Sequence, residues 1–213
     1  MKSMILAAAA ATALAGAANA DIVNGDFGDG TSNGWTQFGG SEGPYNVNFA
    51  GGEMAWAVVA YGTFGGNPNF SGYTQDLGVA GDYAEGDTIS FGGDLYIEDA
   101  KKLYGGNTVN VQLNFWYGAT GGDYGFSVVA GTLDTNSARD TLHSFAMDYV
   151  LDAGAASATR ISLDFTYIQG EIAPEGTENG AAWGSNFYGS IVPAPGAVAL
   201  LGLAGLAGRR RRD

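Results

Sequence analysis

One polar stretch near the middle of the chain combines an aromatic ring with carboxamide side chains at a spacing that could bind a sugar. Asn110, Gln112 and Asn114 alternate with apolar residues, and Trp116 continues the amide positions rather than the apolar ones. Successive side chains of a β-strand point to opposite faces, so these four side chains are predicted to project together. A flat ring can cover the C–H face of a pyranose while amides donate to and accept from its hydroxyls. Tyr96 could add a second ring from a neighbouring strand.

The same pattern has a purely structural interpretation. An aromatic residue that is out of phase with its strand also covers a second sheet or a loop. In that case Trp116 packs within the protein or at a protein interface. Trp35 is predicted to be a core residue, whereas the glycine and alanine neighbours of Trp56 and Trp183 leave the faces of those two residues undetermined.

The catalytic residue types that the chain holds exclude several enzyme classes. It has a single histidine, His143, and no cysteine, which excludes histidine-based triads, multi-histidine zinc sites and thiol mechanisms. His143 shares the parity of Phe145 and Met147, which favours a hydrogen-bonded structural role in a strand. Glycoside hydrolysis needs two close carboxyl groups, and no pair of acidic residues is singled out by its spacing. We therefore predict a non-enzymatic protein and assign no catalytic residue.

Two loops with closely spaced carboxylates could supply oxygen ligands to calcium. One contains Asp21, Asp26 and Asp29, and the other lies within residues 82–87, just before a predicted strand. Neither loop has the spacing of an EF-hand. Aspartate and glycine are also common in ordinary turns. The carboxylates of either loop are therefore interpreted either as ligands of a structural calcium ion or as ordinary turn residues.

The elements that must position these residues are predicted to be strands. Apolar and polar residues alternate in three segments, residues 89–97, 109–117 and 161–167, which is the pattern of half-buried strands. Seven weaker candidates are residues 22–27, 45–49, 54–59, 73–77, 126–130, 145–150 and 186–192. Glycine pairs separate the segments, and no apolar stripe at helical spacing interrupts them. The fold class is predicted to be all-β, an antiparallel two-sheet sandwich.

The charge of the chain excludes one class of partner. The protein carries 22 acidic and 9 basic residues, a formal net charge of −13, and a surface this acidic repels the phosphates of nucleic acids. Such acidity suits a secreted protein that self-repulsion keeps soluble. Because the chain has no cysteine, the domain takes no support from disulfides and must depend on its core.

Both ends of the chain have the composition of targeting segments. Lys2 precedes an apolar stretch, and residues 18–20 read Ala-Asn-Ala, which predicts a signal peptide over residues 1–20 and a mature start at Asp21. At the other end, Pro193-Ala194-Pro195 precedes a short uncharged run and four arginines. That run is shorter than the roughly 20 residues that span a bilayer comfortably, and the arginines favour the cytoplasmic side. We predict one domain over residues 21–192 and a separate tail over residues 193–213.

The tail resembles the sorting domain of PEP-CTERM proteins, which are exported bacterial proteins. A proline pair, a short hydrophobic helix and a terminal arginine cluster follow one another in that order, with Ala194 where the family usually has glutamate. The resemblance implies recognition and processing by an exosortase-type membrane enzyme, with membrane contact through the tail before processing. It assigns the sorting signal to Pro193, Pro195, Arg209, Arg210, Arg211 and Arg212.

The start of the domain resembles carbohydrate-binding jelly rolls of the galactose-binding-like type. Residues 24–27 read Asn-Gly-Asp-Phe, and Gly34-Trp35 follow soon afterwards. Residues 73–77 and 85–91 resemble that family's Gln-x-Leu strand, its glycine-led turn and its next core strand. The resemblance implies a jelly-roll sandwich, carbohydrate binding and a structural calcium site. Gly28 replaces the glutamate that the family usually has for that site.

Together these features favour an exported protein of a Gram-negative bacterium that associates with polysaccharide at the cell surface, the outer membrane or the extracellular matrix. Its candidate carbohydrate-binding residues are Trp116, Asn114, Gln112 and Tyr96. Two alternatives stay open at this stage. One is a structural protein that packs with copies of itself or with other surface proteins, and the other is a secreted glycan-active enzyme.

Overall fold

The computed structural model of the protein describes residues 21–49, 53–62, 69–174 and 179–194. The predicted signal peptide, Pro195 and the arginine cluster lie outside these residues. The described part holds ten strands, a 3₁₀ turn at Asp99–Lys101 and a four-residue helix, α1, at Ala153–Ala156. No helix in these ranges has the length and apolar character needed to cross a membrane. The strands are β1 (Thr36–Phe38), β2 (Ser41–Phe49), β3 (Glu53–Tyr61), β4 (Asn69–Val79), β5 (Thr88–Tyr96), β6 (Thr108–Tyr117), β7 (Asp123–Leu133), β8 (Leu142–Val150), β9 (Arg160–Gln169) and β10 (Ala181–Val192).

These strands form two five-stranded sheets in which neighbouring strands are antiparallel. The first sheet has the order β1-β4-β9-β6-β7, and the second has the order β2-β3-β10-β5-β8. The predicted all-β sandwich is therefore confirmed, and the arrangement is consistent with a jelly roll. The three strongly alternating segments correspond to β5, β6 and β9, and six of the seven weaker candidates lie within strands.

The inward side chains of both sheets meet in one large core. In β6 the odd-numbered residues from Val109 to Phe115 are fully buried, and Leu163 and Phe165 of β9 are buried in the same way. Trp35 is a core residue, as predicted, and its ring centroid lies 5.3 Å from that of Phe187. One face of each central strand is thus committed to the core, and the opposite face is left for other roles.

Residues 22–27 form a loop, so the prediction of a strand there is wrong. Asn24 and Phe27 have φ angles of 53° and 52°, in the left-handed region that interrupts an extended chain. Phe27 is fully buried in the core. Gly25 lies so close to the Phe187 carbonyl oxygen that a Cβ would stand 1.7 Å from it. Phe27 therefore anchors a tight loop to the core instead of lining a sheet.

Candidate functional site

The polar side chains of β6 lie on the outward face of the first sheet. The residues that alternate with Asn110, Gln112, Asn114 and Trp116 are fully buried in the core, so these four side chains face the other way, as predicted. The strand register places polar residues of β4, β7 and β9 beside them. We define the polar face by Thr74, Asn110, Gln112, Asn114, Trp116, Tyr124, Ser127, Arg160, Ser162 and Asp164.

The amides of β6 form a continuous hydrogen-bonded row along the strand. Asn110 Nδ2 donates to Gln112 Oε1 at 3.0 Å, and Gln112 Nε2 donates to Asn114 Oδ1 at 2.9 Å. Asn114 Nδ2 donates in turn to Asp164 Oδ2 on the adjacent β9. Thr132 Oγ1 supports the other end of the row by donating to Asn110 Oδ1 at 2.8 Å. Because each amide is held by its neighbours, the orientation of every side chain in the row is fixed.

This row is nearly closed to solvent although it faces away from the core. The exposed fraction is 6% for Asn114 and 4% for Asp164. Buried polar groups are costly unless they are hydrogen-bonded, and the row satisfies that condition from within. The row therefore forms a rigid, buried base of the polar face, which we call the floor. The more exposed residues of the polar face form its rim, which a ligand would contact first.

Asp164, at the centre of the floor, has a carboxyl group with a raised pKa. Burial raises the pKa of its carboxyl group from 3.8 to about 6, although hydrogen bonds from Ser162, Thr74 and Asn114 and the charge of Arg160 act in the opposite direction. Thr74 Oγ1 donates to Asp164 Oδ1 at 2.7 Å. The side chain is thus a hydrogen-bond acceptor at neutral pH and becomes a neutral acid in mildly acidic solution.

The aromatic and charged residues of the polar face lie together at one end of β6. Trp116 Nε1 donates to Ser162 Oγ at 3.0 Å, and the Arg160 guanidinium lies 4.6 Å from the centre of the indole ring. Arg160 also pairs with Asp76 at 3.1 Å. On the other side of Trp116, the ring of Tyr124 makes an edge-to-face contact at 5.6 Å. Arg160 occupies a face of the indole, so the 59% exposed Tyr124 offers the more accessible ring.

Tyr96 does not join this face, so its expected position beside Trp116 is wrong. It ends β5 in the second sheet, where it is opposite Trp183 of β10 and Leu142 of β8. Its hydroxyl donates to Asp140 Oδ1 at 3.1 Å, and only 8% of the residue is exposed. Alternation along a strand shows which residues share a face of that strand, but it carries no information about which sheet the strand enters.

The acidic loops use their carboxylates to close turns. Asp26 Oδ1 accepts from Gly28 N at 3.0 Å, and Asp29 Oδ1 accepts from Thr31 N at 2.8 Å. Within the described residues, no three histidine, cysteine, aspartate or glutamate side chains gather into a group that could hold a metal. The carboxylates of Asp21, Asp26 and Asp29 therefore do not converge in the structure, and calcium binding stays a prediction.

In the second loop, Asp82 Oδ2 accepts from Val79 N at 2.9 Å, and Asp87 accepts from Ala84 N at 2.7 Å and from Ala194 N at 2.8 Å. These carboxylates also stabilise the local chain path. His143 is hydrogen-bonded as predicted, with Nε2 2.9 Å from the Ala138 carbonyl oxygen.

Several residues of the polar face were not among the candidates from the sequence, and Asp164, Arg160 and Tyr124 are the ones that matter most for its chemistry. Asp164 stands at a polar position of the alternating segment 161–167, so comparison of the two strongest strands could have suggested it. Arg160 lies one residue outside that segment. Tyr124 could not have been found by parity, because irregular pairing between Phe115 and Trp116 shifts the register of β6 against β7 at this point.

No family model matches the chain, and no curated protein matches it. Among solved structures, the tandem CBM22-1–CBM22-2 domain of Xyn10C from Paenibacillus barcinonensis is similar, with a TM-score of 0.51 and 13% identity over 82% of this chain and 46% of that one. The CBM22-1–GH10 modules of Clostridium thermocellum Xyn10B, complexed with xylohexaose, have a TM-score of 0.50 and 12% identity over 80% of this chain and 28% of that one.

A Stig cyclase, Fisc from Fischerella sp. TAU, also matches, with a TM-score of 0.46 and 11% identity over 83% of this chain and all of that one. At these identities the likeness concerns the fold, because one fold hosts many functions. The chain is thus a β-sandwich of the kind seen in carbohydrate-binding modules, and its function must be argued from its own residues.

Proposed function

We propose that this protein binds polysaccharide through the polar face of its first sheet and acts without catalysing a reaction. The observation that carries the proposal is the fixed amide row of β6, which ends at two aromatic rings, Trp116 and Tyr124. Saccharide recognition needs both kinds of group, since rings cover C–H faces and amides and carboxylates bind hydroxyls.

The structure of the floor favours binding without rearrangement. The side chains of Gln112 and Asn114 are already held in place by their neighbours, so little rotamer freedom remains to be lost when a ligand arrives. Restricting a binding site in advance lowers the cost of association. Tyr124 and the partly exposed Arg160 at the rim would make the first contacts, with Asp76 held beside Arg160.

Export and surface location are part of the same proposal. Residues 1–20 have the composition of a signal peptide, and residues 193–213 resemble a PEP-CTERM tail. An exosortase-type enzyme and the export machinery would be the partners that handle the chain, and extracellular polysaccharide would be its ligand. The protein would then act at the cell surface, the outer membrane or in the extracellular matrix.

A glycan array with the purified protein tests the proposal, with xylan oligosaccharides included because xylohexaose accompanies one structural neighbour. We expect binding that weakens when Tyr124 or Trp116 is replaced by alanine. Tyr188→Ala is the matched control, since Tyr188 is 45% exposed and lies in the second sheet. Absence of binding, or an equal loss in all three variants, would contradict a polysaccharide site on the polar face.

Self-association is the second candidate, and the exposure of apolar side chains on β7 favours it. Tyr124 is 59% exposed and Val129 is 39% exposed, both on this outermost strand of the first sheet. An apolar patch at a sheet edge can pair with a second copy. Sedimentation analysis separates the two candidates, because self-association predicts a concentration-dependent dimer that Val129→Lys abolishes.

A further inference from the structure

A pocket of about 460 Å³ opens on the outward face of the second sheet, away from the polar face. It lies where β2, β3 and β10 meet the segment that follows β5. Its walls combine aromatic rings with charged groups: Tyr45, Tyr61, Trp183, Glu42, Glu98 and Lys101. Its volume lies within the range of natural small-ligand sites, roughly 300–1,000 Å³.

Hydrogen bonds fix the aromatic walls to the carboxylates. Tyr61 OH donates to Glu42 Oε1 at 2.7 Å, and Tyr45 OH donates to Glu42 Oε2 at 3.0 Å. Trp183 Nε1 donates to Glu98 Oε1 at 3.1 Å, and its ring meets Tyr45 edge-to-face at 6.0 Å. The three rings are therefore oriented by specific polar contacts rather than packed as a general apolar patch.

In the described part of the chain, a buried amide at the edge of the pocket has a donor without a partner. Asn179 lines the pocket and is 4% exposed, and its Oδ1 accepts from Ala173 N. Its Nδ2 has no hydrogen-bond partner among the described residues. Buried donors in native proteins nearly always have acceptors, so a ligand oxygen or a water molecule at this position would complete the set.

The charges of the pocket limit the ligands that it can take. Hydrogen bonds from Tyr61 and Tyr45 lower the pKa of the Glu42 carboxyl group, so this residue is ionised at neutral pH. Glu98 adds a second carboxylate, and Lys101 supplies one opposing charge. The whole chain is also acidic. Anionic ligands are therefore disfavoured, whereas hydroxyls and ammonium groups can donate to the carboxylates.

We propose that this pocket is a second saccharide site, selective for sugar residues that are neutral or carry a free amine. Ring faces at Tyr45 and Trp183 would contact the C–H surface of the sugar, and Glu42 and Glu98 would accept from its hydroxyl or ammonium groups. The proposal does not depend on the polar face. If both sites bind, one domain connects two polysaccharide strands from opposite faces, which raises its avidity for a matrix.

Isothermal titration of the purified protein with three soluble probes tests the pocket. The probes are oligomers of glucosamine, of N-acetylglucosamine and of galacturonic acid, which carry positive, neutral and negative charge. We expect binding of the first two and none of the third. Tyr45→Ala should weaken binding about tenfold, in the range of an aromatic contact at an interface. Tyr45 is 44% exposed, so its removal leaves the core intact.

Two further variants make the test specific. Glu98→Gln keeps the shape and an acceptor for Trp183 but removes the charge, so it should reduce the preference for the amine over the neutral probe. Tyr188→Ala, which removes an equally exposed ring elsewhere on β10, should leave these titrations unchanged. Thermal unfolding of each variant verifies its fold.

The proposal is overturned if neither amine nor neutral probe binds, if the acidic probe binds equally, or if Tyr45→Ala has no effect. Loss of all binding in Tyr124→Ala together with unchanged binding in Tyr45→Ala would also overturn it, while leaving the polar face as the saccharide site. Conversely, if the polar-face variants show that the polar face binds no saccharide, the titrations of the pocket variants still test the pocket independently.

Discussion

Replacement of Asp164 by asparagine is expected to change how the stability of the protein depends on pH. The folded carboxyl has a pKa of about 6, against 3.8 for an unperturbed aspartate. Between these values the folded state binds a proton that the unfolded state has released, so the free energy of unfolding falls as pH rises. A shift of about two units corresponds to about 3 kcal/mol. This contribution is fully present below pH 4 and is lost above pH 6.

The measurement is chemical unfolding of the wild type and of Asp164→Asn between pH 3.5 and 7.5. Other carboxylates also titrate over this range, so the informative quantity is the difference in unfolding free energy between the two proteins at each pH. We expect the wild type to lose about 3 kcal/mol relative to the variant as pH rises. Carbon NMR of the Asp164 carboxyl group reports the same pKa directly.

Asp29 supplies a control of the opposite sign. The backbone and side-chain hydrogen bonds of Thr31 hold the pKa of its carboxyl below the ordinary value. Its contribution to stability is therefore present above the unfolded pKa and is lost as pH falls through the folded pKa. The reasoning is refuted if the unfolding free energy of the wild type, minus that of Asp164→Asn, stays constant or rises as pH rises. Such a result would mean that the hydrogen bonds at Asp164 match or outweigh its desolvation.

Three further predictions can be checked independently. Trp116→Ala should destabilise the fold by only about 1–2 kcal/mol in urea unfolding, because it removes the Ser162 hydrogen bond and the Arg160 contact. A loss of ~3–5 kcal/mol, the size expected for a core deletion, would assign the ring to packing. Gly25→Ala should cost about 1–3 kcal/mol in the same assay, because the added Cβ meets the Phe187 carbonyl, and no loss would contradict that contact. Intact mass of the exported protein should give an N-terminus at Asp21 and loss of the chain beyond Pro193-Ala194-Pro195, and a mass that retains both ends would argue against processing.

The sequence was sufficient for the fold class because the central strands alternate clearly. In β6 and β9 the apolar residues are the ones that face the core, and the polar residues between them lie on the opposite face, so the local pattern identified the core face correctly. The short β1 at Thr36–Phe38 was missed, since three residues hold too little alternation to read. The prediction of a strand at residues 22–27 is wrong because Ile22 and Phe27 pack against the core from a loop. The left-handed φ angles of Asn24 and Phe27 are not visible in a hydrophobic pattern.

The candidate sites could be predicted from the sequence only in part, and the reason differs from one site to the other. The amide row lies within one strand, so its shared face followed from parity alone. The contacts of Trp116 with Tyr124 and Arg160 depend on cross-strand register, and β6 and β7 are out of simple register at Trp116. The pocket on the second sheet contains Glu42, Trp183 and Glu98, which come from distant parts of the chain. Such a site exists only after the sheet order is known.

The acidity of the protein has different consequences at the two sites. On the polar face the one buried carboxylate, that of Asp164, binds a proton in mild acid and lies near Arg160. In the pocket, Glu42 is kept ionised by two tyrosine hydroxyls. Mild acid should therefore change the hydrogen-bonding character of the first site while leaving the charge of Glu42 in place. A domain with both sites would keep its preference for amine-bearing sugars at a pH where its other face has already changed.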